Sequence, residues 1–467
     1  MAANGTWTWT GYVVSTAATQ AFSVNLSAGS SGTANTADLY IDGADIGTIA
    51  IPNTGSSTTF QASPSLVTGV LLAGTHGVLL KATAGAFGVS TINFSANTAA
   101  APAFTTQPIS AVVTGGTVAL NAGASGASAY QWILNGTTPI PGANGPLLVF
   151  ADAAAAVGSY TCIAANQGGS ATSSAATVSL ASTSDIGRLV NISCRALSEA
   201  GSNQLIAGYV IGGQGTSGLL PVLIRASGPA LANFGVSGTL ADPKLTLNKS
   251  NSDGTSTVIG TDSGWGGNAA VAAAASEVGA FAWTASTSLD SALVQTLSAG
   301  DYTAQVTGAS GDSGVALAEV YDATPSGTYT PSQSRLINIS ARVEVGTGGN
   351  ILIAGFVIGG TTSRTVLIRG SGPILKAFGL TGVLPDPQLS LFQSVNNAST
   401  LIETNTGWGG SAQIAAAAAS VGAFSWGSSA TPDSAILVTL PPGSYTAQVA
   451  GASGDTGVAL VEVYEVP

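Results

Sequence analysis

Charge is the scarcest property of this chain. Only 7% of its 467 residues are Asp, Glu, Lys or Arg, against about 25% in an ordinary globular protein. The 22 acids and 11 bases leave a net charge of −11, and the bases form no run. Nucleic acid and anionic membrane, both of which are bound through clustered cations, are therefore poor partners. There is one histidine, His76, and there are two cysteines, Cys162 and Cys194. That is too few for a disulfide framework, and no CxxC metal pattern occurs; whether the two cysteines bond to each other is left open. No apolar run reaches the roughly 18 residues of a membrane-spanning helix. The start, MAANGTWTWT, has neither the basic nor the apolar region of an export signal.

What is abundant is Gly, with 62 residues, together with Ala, Ser and Thr, and 45% of the chain is apolar. That apolar content excludes disorder, which needs few hydrophobes and many charges. The length gives room for several domains, each with its own core. A surface built from hydroxyls and amides has little charge repulsion to keep copies apart, which permits self-association.

The strongest internal signal is a duplication. GDYTAQVTGASGDSGVALAEVY at 300–321 returns as GSYTAQVAGASGDTGVALVEVY at 443–464, identical at 18 of 22 positions. Alternating apolar residues on both sides of a Gly-rich turn predict a β-hairpin in each copy. Further blocks recur in the same order: RLVNISCR at 188–195 with RLINISAR at 335–342, LIAGYVIGG at 205–213 with LIAGFVIGG at 352–360, and VLIRASGP at 222–229 with VLIRGSGP at 366–373. Gly264-Trp265-Gly266-Gly267 matches Gly407-Trp408-Gly409-Gly410. The Ala-rich segment after Asn268, a residue suited to an N-cap, predicts one short helix on each otherwise β unit. This arrangement resembles a C-terminal repeat of large secreted bacterial surface proteins, for which no catalytic role is implied.

Ahead of the duplication lie two further β-rich regions. Residues 1–98 alternate in short segments (Trp7–Ser15, Gln20–Ser27, Ala37–Asp42, Ile46–Ile51, Ser65–Leu72, His76–Thr83 and Gly88–Ala96), a sandwich pattern. ADLYIDGADIGTIAIPNTGSSTTFQ, then LLAGTHGVLLKATAG, then STINF resemble a family 6-type carbohydrate-binding module that begins one strand late. The resemblance implies a sugar-binding face and a calcium site. The family's calcium-ligand acids are not evident ahead of Trp7 or in Gly88–Ile92, so no cofactor and no metal are expected. Residues 104–182, with Tyr130-Gln131-Trp132 and Tyr160-Thr161-Cys162, resemble an immunoglobulin-like domain. Trp132 would be its core tryptophan and Tyr160 its corner tyrosine, and Ala122 stands where the partner cysteine would be, so no inter-sheet disulfide is implied.

Gly311-Asp312-Ser313-Gly314 has the wording of a serine-protease nucleophile, but that chemistry needs a nearby histidine. His76 lies far off in sequence and the second copy has Thr456. Asp in a Gly-rich turn is more simply a backbone hydrogen-bond acceptor. Six of the seven arginines pair across the repeats: Arg188 with Arg335, Arg195 with Arg342 and Arg225 with Arg369. Recurring acids accompany them, Asp242 with Asp386 and Asp290 with Asp433 among others. An internal arginine–carboxylate network that orders loops is preferred to a ligand site or an inter-subunit bridge. Trp265 and Trp408 are read as packing on their own domains, and Trp7, Trp9 and Tyr12 as a candidate sugar-binding cluster.

The expectation is an all-β chain of four consecutive β-sandwich-like domains, at 1–98, 104–182, 186–324 and 333–467. It is expected to be non-catalytic and extracellular or at the cell surface, with the export signal absent from this chain. The leading reading is a structural or adhesive subunit that self-associates into a fibre or array, since an open strand edge recruits strands. The alternative is a polysaccharide-binding protein, or the non-catalytic tail of a polysaccharide-active enzyme.

Overall fold

The computed structural model describes residues 8–16, 18–96, 99–199, 201, 204–283, 285–396 and 398–467, with the backbone alone for 8–13. The chain divides into two compact units, Met1–Pro108 with Asn121–Leu148 and Gly158–Thr177, and Ile109–Leu120 with Val149–Val157 and Val178–Pro467.

In the first unit, strands Thr8–Thr16, Gly74–Ala84, Thr36–Ile41 and Ala44–Ala50 form one sheet in that order. Ser23–Ser30 is the centre of a second sheet, with Phe87–Ser95 on one side and the short Gln61–Ala62 and Leu66–Val67 on the other. Burial alternates along Thr36–Ile41, as the sequence pattern requires, and Leu26, Leu39, Ile49 and Leu80 meet in the core. The expected strand Ser65–Leu72 shrinks to Leu66–Val67. Further along, Ala129–Leu134 pairs antiparallel with Gly158–Asn166, which sets the fully buried Trp132 opposite the fully buried Cys162. This is an immunoglobulin-like centre without its disulfide. Both cysteines are free, and burial pushes each thiol up to about 12, which keeps them protonated and unreactive at neutral pH.

The second unit is built from the duplication. Its first repeat supplies β1 (Arg188–Ser198), β2 (Leu205–Gly212), β3 (Leu220–Ser227), β4 (Pro243–Ser250), β5 (Ser256–Asp262), β6 (Ser291–Leu297), β7 (Gly300–Gly308) and β8 (Gly314–Asp322). The second supplies the equivalent β9 (Arg335–Val345), β10 (Leu352–Gly359), β11 (Arg364–Ser371), β12 (Pro387–Val395), β13 (Ala398–Asn405), β14 (Ser434–Leu440), β15 (Gly443–Gly451) and β16 (Gly457–Glu465). The predicted helices are present: α1 (Ala269–Glu277), capped by the Asn268 side chain on Ala270 N and Val271 N, and α2 (Ala412–Ser420), capped by Ser411.

The repeats do not stand as two separate sandwiches. β2 pairs with β9 of the other repeat, and β10 pairs with β1. One set of strands therefore runs β5-β4-β7-β2 from repeat 1 and on through β9-β16-β11-β14 from repeat 2, and the other runs β13-β12-β15-β10 and on through β1-β8-β3-β6. The two sets touch where Leu189 pairs with Leu336. A single apolar core extends through both repeats. The repeated Gly in LIAGYVIGG and LIAGFVIGG makes the crossing feasible. A Cβ on Gly208 would lie 2.6 Å from Ser340 Oγ, and one on Gly355 would lie 2.5 Å from Ser193 Oγ. Next to these crossings Tyr209 stacks on Tyr302 at 5.5 Å and Phe356 on Tyr445 at 5.4 Å.

Candidate functional site: the arginine clusters

Alternation along β3 sends Val222 and Ile224 into the common core and Leu223 and Arg225 to the other face. That face is covered by the loop carrying α1, and the cover is aromatic. The Arg225 guanidinium lies 4.2 Å from the centre of the Phe281 ring and 4.3 Å from that of Trp283. Its Nε is 3.6 Å from Glu319 Oε2, and Tyr321 Oη donates to Glu319 Oε1 at 2.7 Å. The second repeat reproduces the arrangement: Arg369 lies 4.1 Å from Phe424 and 4.2 Å from Trp426, and its Nε is 3.5 Å from Glu462. Arg225 and Arg369 are 1% and 0% exposed, so these are interior ion pairs. Burial pushes the Glu319 and Glu462 carboxyls above the ordinary glutamate value, and the facing arginine opposes that shift.

Asp290 and Asp433, both fully buried, do not join these pairs. Each serves backbone: Asp290 accepts from Gly228 N at 2.7 Å and Ala230 N at 3.3 Å, and Asp433 accepts from Gly372 N at 2.7 Å. Asp242 and Asp386 hold the hairpin turns. Asp242 accepts from Ser310, which with the neighbouring Asp312 draws the Asp242 carboxyl down, while Asp242 pushes the Asp312 carboxyl up. Asp386 accepts from Ser453 and pushes Asp455 up in the same way. Asp312 and Asp455 are thus each paired within their own repeat, in the turn role expected for them.

Arg188 and Arg335 sit where β1 and β9 meet. Arg188 Nη1 is 3.0 Å from Asp185, its Nε is 3.7 Å from Asp322, and its guanidinium carbon lies 3.6 Å from the centre of the Tyr329 ring. Arg335 Nε and Nη2 donate to Glu465 Oε1 at 2.8 and 2.5 Å, and Arg364 Nη2 donates to the same oxygen at 2.6 Å. Arg195 and Arg342 lie outside these clusters, and neither joins an ion pair among the described residues. Of the ten residues expected to form one charge network, eight are therefore divided among separate sites, two buried pairs, two backbone anchors, two turns and one cluster between the repeats, and Arg195 and Arg342 belong to none of them.

Trp265 and Trp408 are half-buried against Trp283 and Trp426, at 5.5 and 5.2 Å between ring centres. Trp7 lies outside the described residues; Trp9 and Tyr12 are placed on Thr8–Thr16 by backbone alone. The reading of single residues missed Trp283 and Trp426, although Phe-Ala-Trp at 281–283 aligns with Phe-Ser-Trp at 424–426. It also missed Arg364, the one arginine with no repeat mate, and Tyr329 in the linker between the repeats.

No family model matches the chain, and no curated protein matches it. Among solved structures, the chain is similar to a chimeric titin Z1Z2-Z1Z2 tandem functionalized with a GRGDS exogenous peptide from fibronectin. The identity is 20%, the TM-score is 0.16, and the match covers 38% of this chain and 100% of that one.

Proposed function

We propose that this chain is a non-catalytic, extracellular structural subunit that self-associates into a fibre or array through its open strand edges. The observation that carries the reading is the pair β5 and β13. They are equivalent strands at the two ends of the longest path of paired strands in the second unit, and each presents an apolar residue to solvent, Val258 at 57% and Leu401 at 52% exposed. Unpaired, low-charge edges are templates for a further strand. Because β5 and β13 lie at different ends, pairing one with the other in a second copy gives a head-to-tail contact, which runs on as a filament unless its rotation closes a ring. The other features support a structural role: the recurring acids are engaged in turns, backbone anchors and buried pairs, and the unit's own repeats already associate by strand pairing across their boundary.

Electron microscopy of the purified chain is expected to show concentration-dependent filaments or arrays. Val258→Lys with Leu401→Lys is expected to disperse them, because lysine on an edge opposes pairing. Monomers alone at every concentration would remove the proposal.

A cavity in the first unit favours a second reading, binding of a neutral or acidic polysaccharide, as the likeness to a family 6-type module implies. It has a volume of about 720 Å³, and Asp42, Asp45, Tyr130, Gln131 and Asn144 line it. An aromatic face with several hydrogen-bonding groups suits a sugar. His76 Nδ1 lies 2.7 Å from Asp42 Oδ2 at its wall. If this reading holds, a glycan array gives saturable binding that Tyr130→Ala removes; an empty array leaves the structural reading alone.

A further inference from the structure

The second unit contains a cavity of about 730 Å³ whose wall includes Arg335, Arg364 and Glu465. That volume is within the range of about 300–1,000 Å³ typical of small-molecule sites. We propose that it binds a small organic monocarboxylate of sugar-acid size, a hexuronate, through these two arginines. The site is separate from the edges that carry the assembly reading, and it can be read out on dispersed protein.

The charge count is the first argument. Glu465 Oε1 receives all three N–H bonds from Arg335 and Arg364, and Glu465 Oε2 receives none. Two guanidinium groups thus share one carboxylate, a surplus that is local to Glu465, since the neighbouring Arg188 faces both Asp185 and Asp322. The Arg335, Arg364 and Glu465 side chains are 7%, 15% and 1% exposed. The Nε of Arg364 is buried with no acceptor, as is the Oη of Tyr329. Buried donors are costly unless something supplies the missing acceptor. A planar carboxylate matches the guanidinium fork.

The duplication supplies the second argument. In repeat 1, Arg188 stands for Arg335, Asp322 for Glu465 and Leu220 for Arg364. One arginine beside Asp322 is enough there, and the strands pair in the same way. Arg364 is therefore an addition that the fold does not require, and it occurs beside a cavity. Gly213 makes room on the opposite wall, since a Cβ there would lie 2.7 Å from Arg335 Nη1, and its φ of +125° is one that glycine tolerates best. The surplus at Glu465 is local and a single charge, which suits a monoanion; a phosphate dianion would bring its second charge against Glu465. Val210, Ile337 and Val421 add apolar wall for the carbon skeleton.

The test is calorimetric titration of the full chain with sodium glucuronate, sodium galacturonate, trigalacturonate and glucose. The two free uronates are expected to bind saturably and more weakly as salt rises, and glucose is expected not to bind. Trigalacturonate distinguishes a free acid from a polymer unit: binding as tight as the monomer, or tighter, assigns the site to a chain-borne uronate, and loss of binding assigns it to the free acid. Arg364→Leu, which installs the repeat 1 residue, should lower affinity at least about tenfold. Ser420→Trp, at an exposed position on the cavity rim, should block binding with the unfolding midpoint unchanged, and it decides the matter if Arg364→Leu fails to fold. Absence of saturable binding by either free uronate, equal binding of glucose, or wild-type affinity in Ser420→Trp overturns the proposal.

Discussion

Arg369→Met is expected to destabilise the second unit by about 3–5 kcal/mol, because it strands Glu462 in the interior without its cation. The ring cage strengthens the expectation. Phe424 and Trp426 exclude water from the guanidinium, so no solvent can take its place beside the carboxylate. The double replacement Arg369→Met with Glu462→Leu should recover most of the loss, since removing both charges also removes their desolvation. The pH dependence has a definite sign. Without Arg369 to oppose burial, the Glu462 carboxyl rises further above its unfolded value of about 4.3. A group with a raised folded-state value adds stability that is complete below the unfolded value and is lost as pH rises through the folded one. The deficit of Arg369→Met should therefore be largest at alkaline pH and shrink as pH falls toward the ordinary glutamate range. Urea unfolding of the single and double variants across pH checks this. A single variant as stable as the parent at pH 8 would show that the pair carries no such energy.

The fold was legible wherever period and repetition acted together. Alternation located the hairpins at 300–321 and 443–464, and Asn268 ahead of an alanine run located α1. The buried arginines were legible as repeated charges in a chain with few, and Glu319 and Glu462 as acids that recur with them, yet which acid faces which arginine was not. Glu319 is seven residues past the turn acid Asp312, and only the pairing of β3 with β8, which sets Arg225 opposite Glu319, identifies it as the partner. Arg364 was invisible for the opposite reason, since a search by repetition discards what does not repeat. The exchange of strands between repeats was also beyond local reading. Hydrophobic alternation says which residues face a core but not which strand lies alongside, and β2 would alternate in the same way beside β1 as beside β9. The one local trace was a glycine in the middle of an apolar strand at Gly208 and Gly355, the mark of a close backbone approach.

That exchange makes a second large effect predictable: repeat 2 alone, residues 333–467, is expected to be a homodimer. Cut free of repeat 1, it loses the partner of β9, which is β2, and the partner of β10, which is β1. Two long central strands would then become edges, with Ile339, Ala341, Phe356 and Ile358 opened from the common core at the same boundary. A monomer must expose that surface; a second copy can cover it, because β9 has the sequence pattern of β1 and β10 that of β2. The replacement contacts are available in both directions, β9 of one copy beside β10 of the other, which is an isologous twofold arrangement. The glycine needed at each crossing is also present, as Gly355 in β10 faces the serine equivalent to Ser193, Ser340 of the other copy. Sedimentation should give a dimer at micromolar concentration, and Gly355→Val should abolish it by placing a branched side chain against that serine. A stable, folded monomer of 333–467 would show that the pairing across the repeats is dispensable, and that each repeat closes its own sandwich without the other.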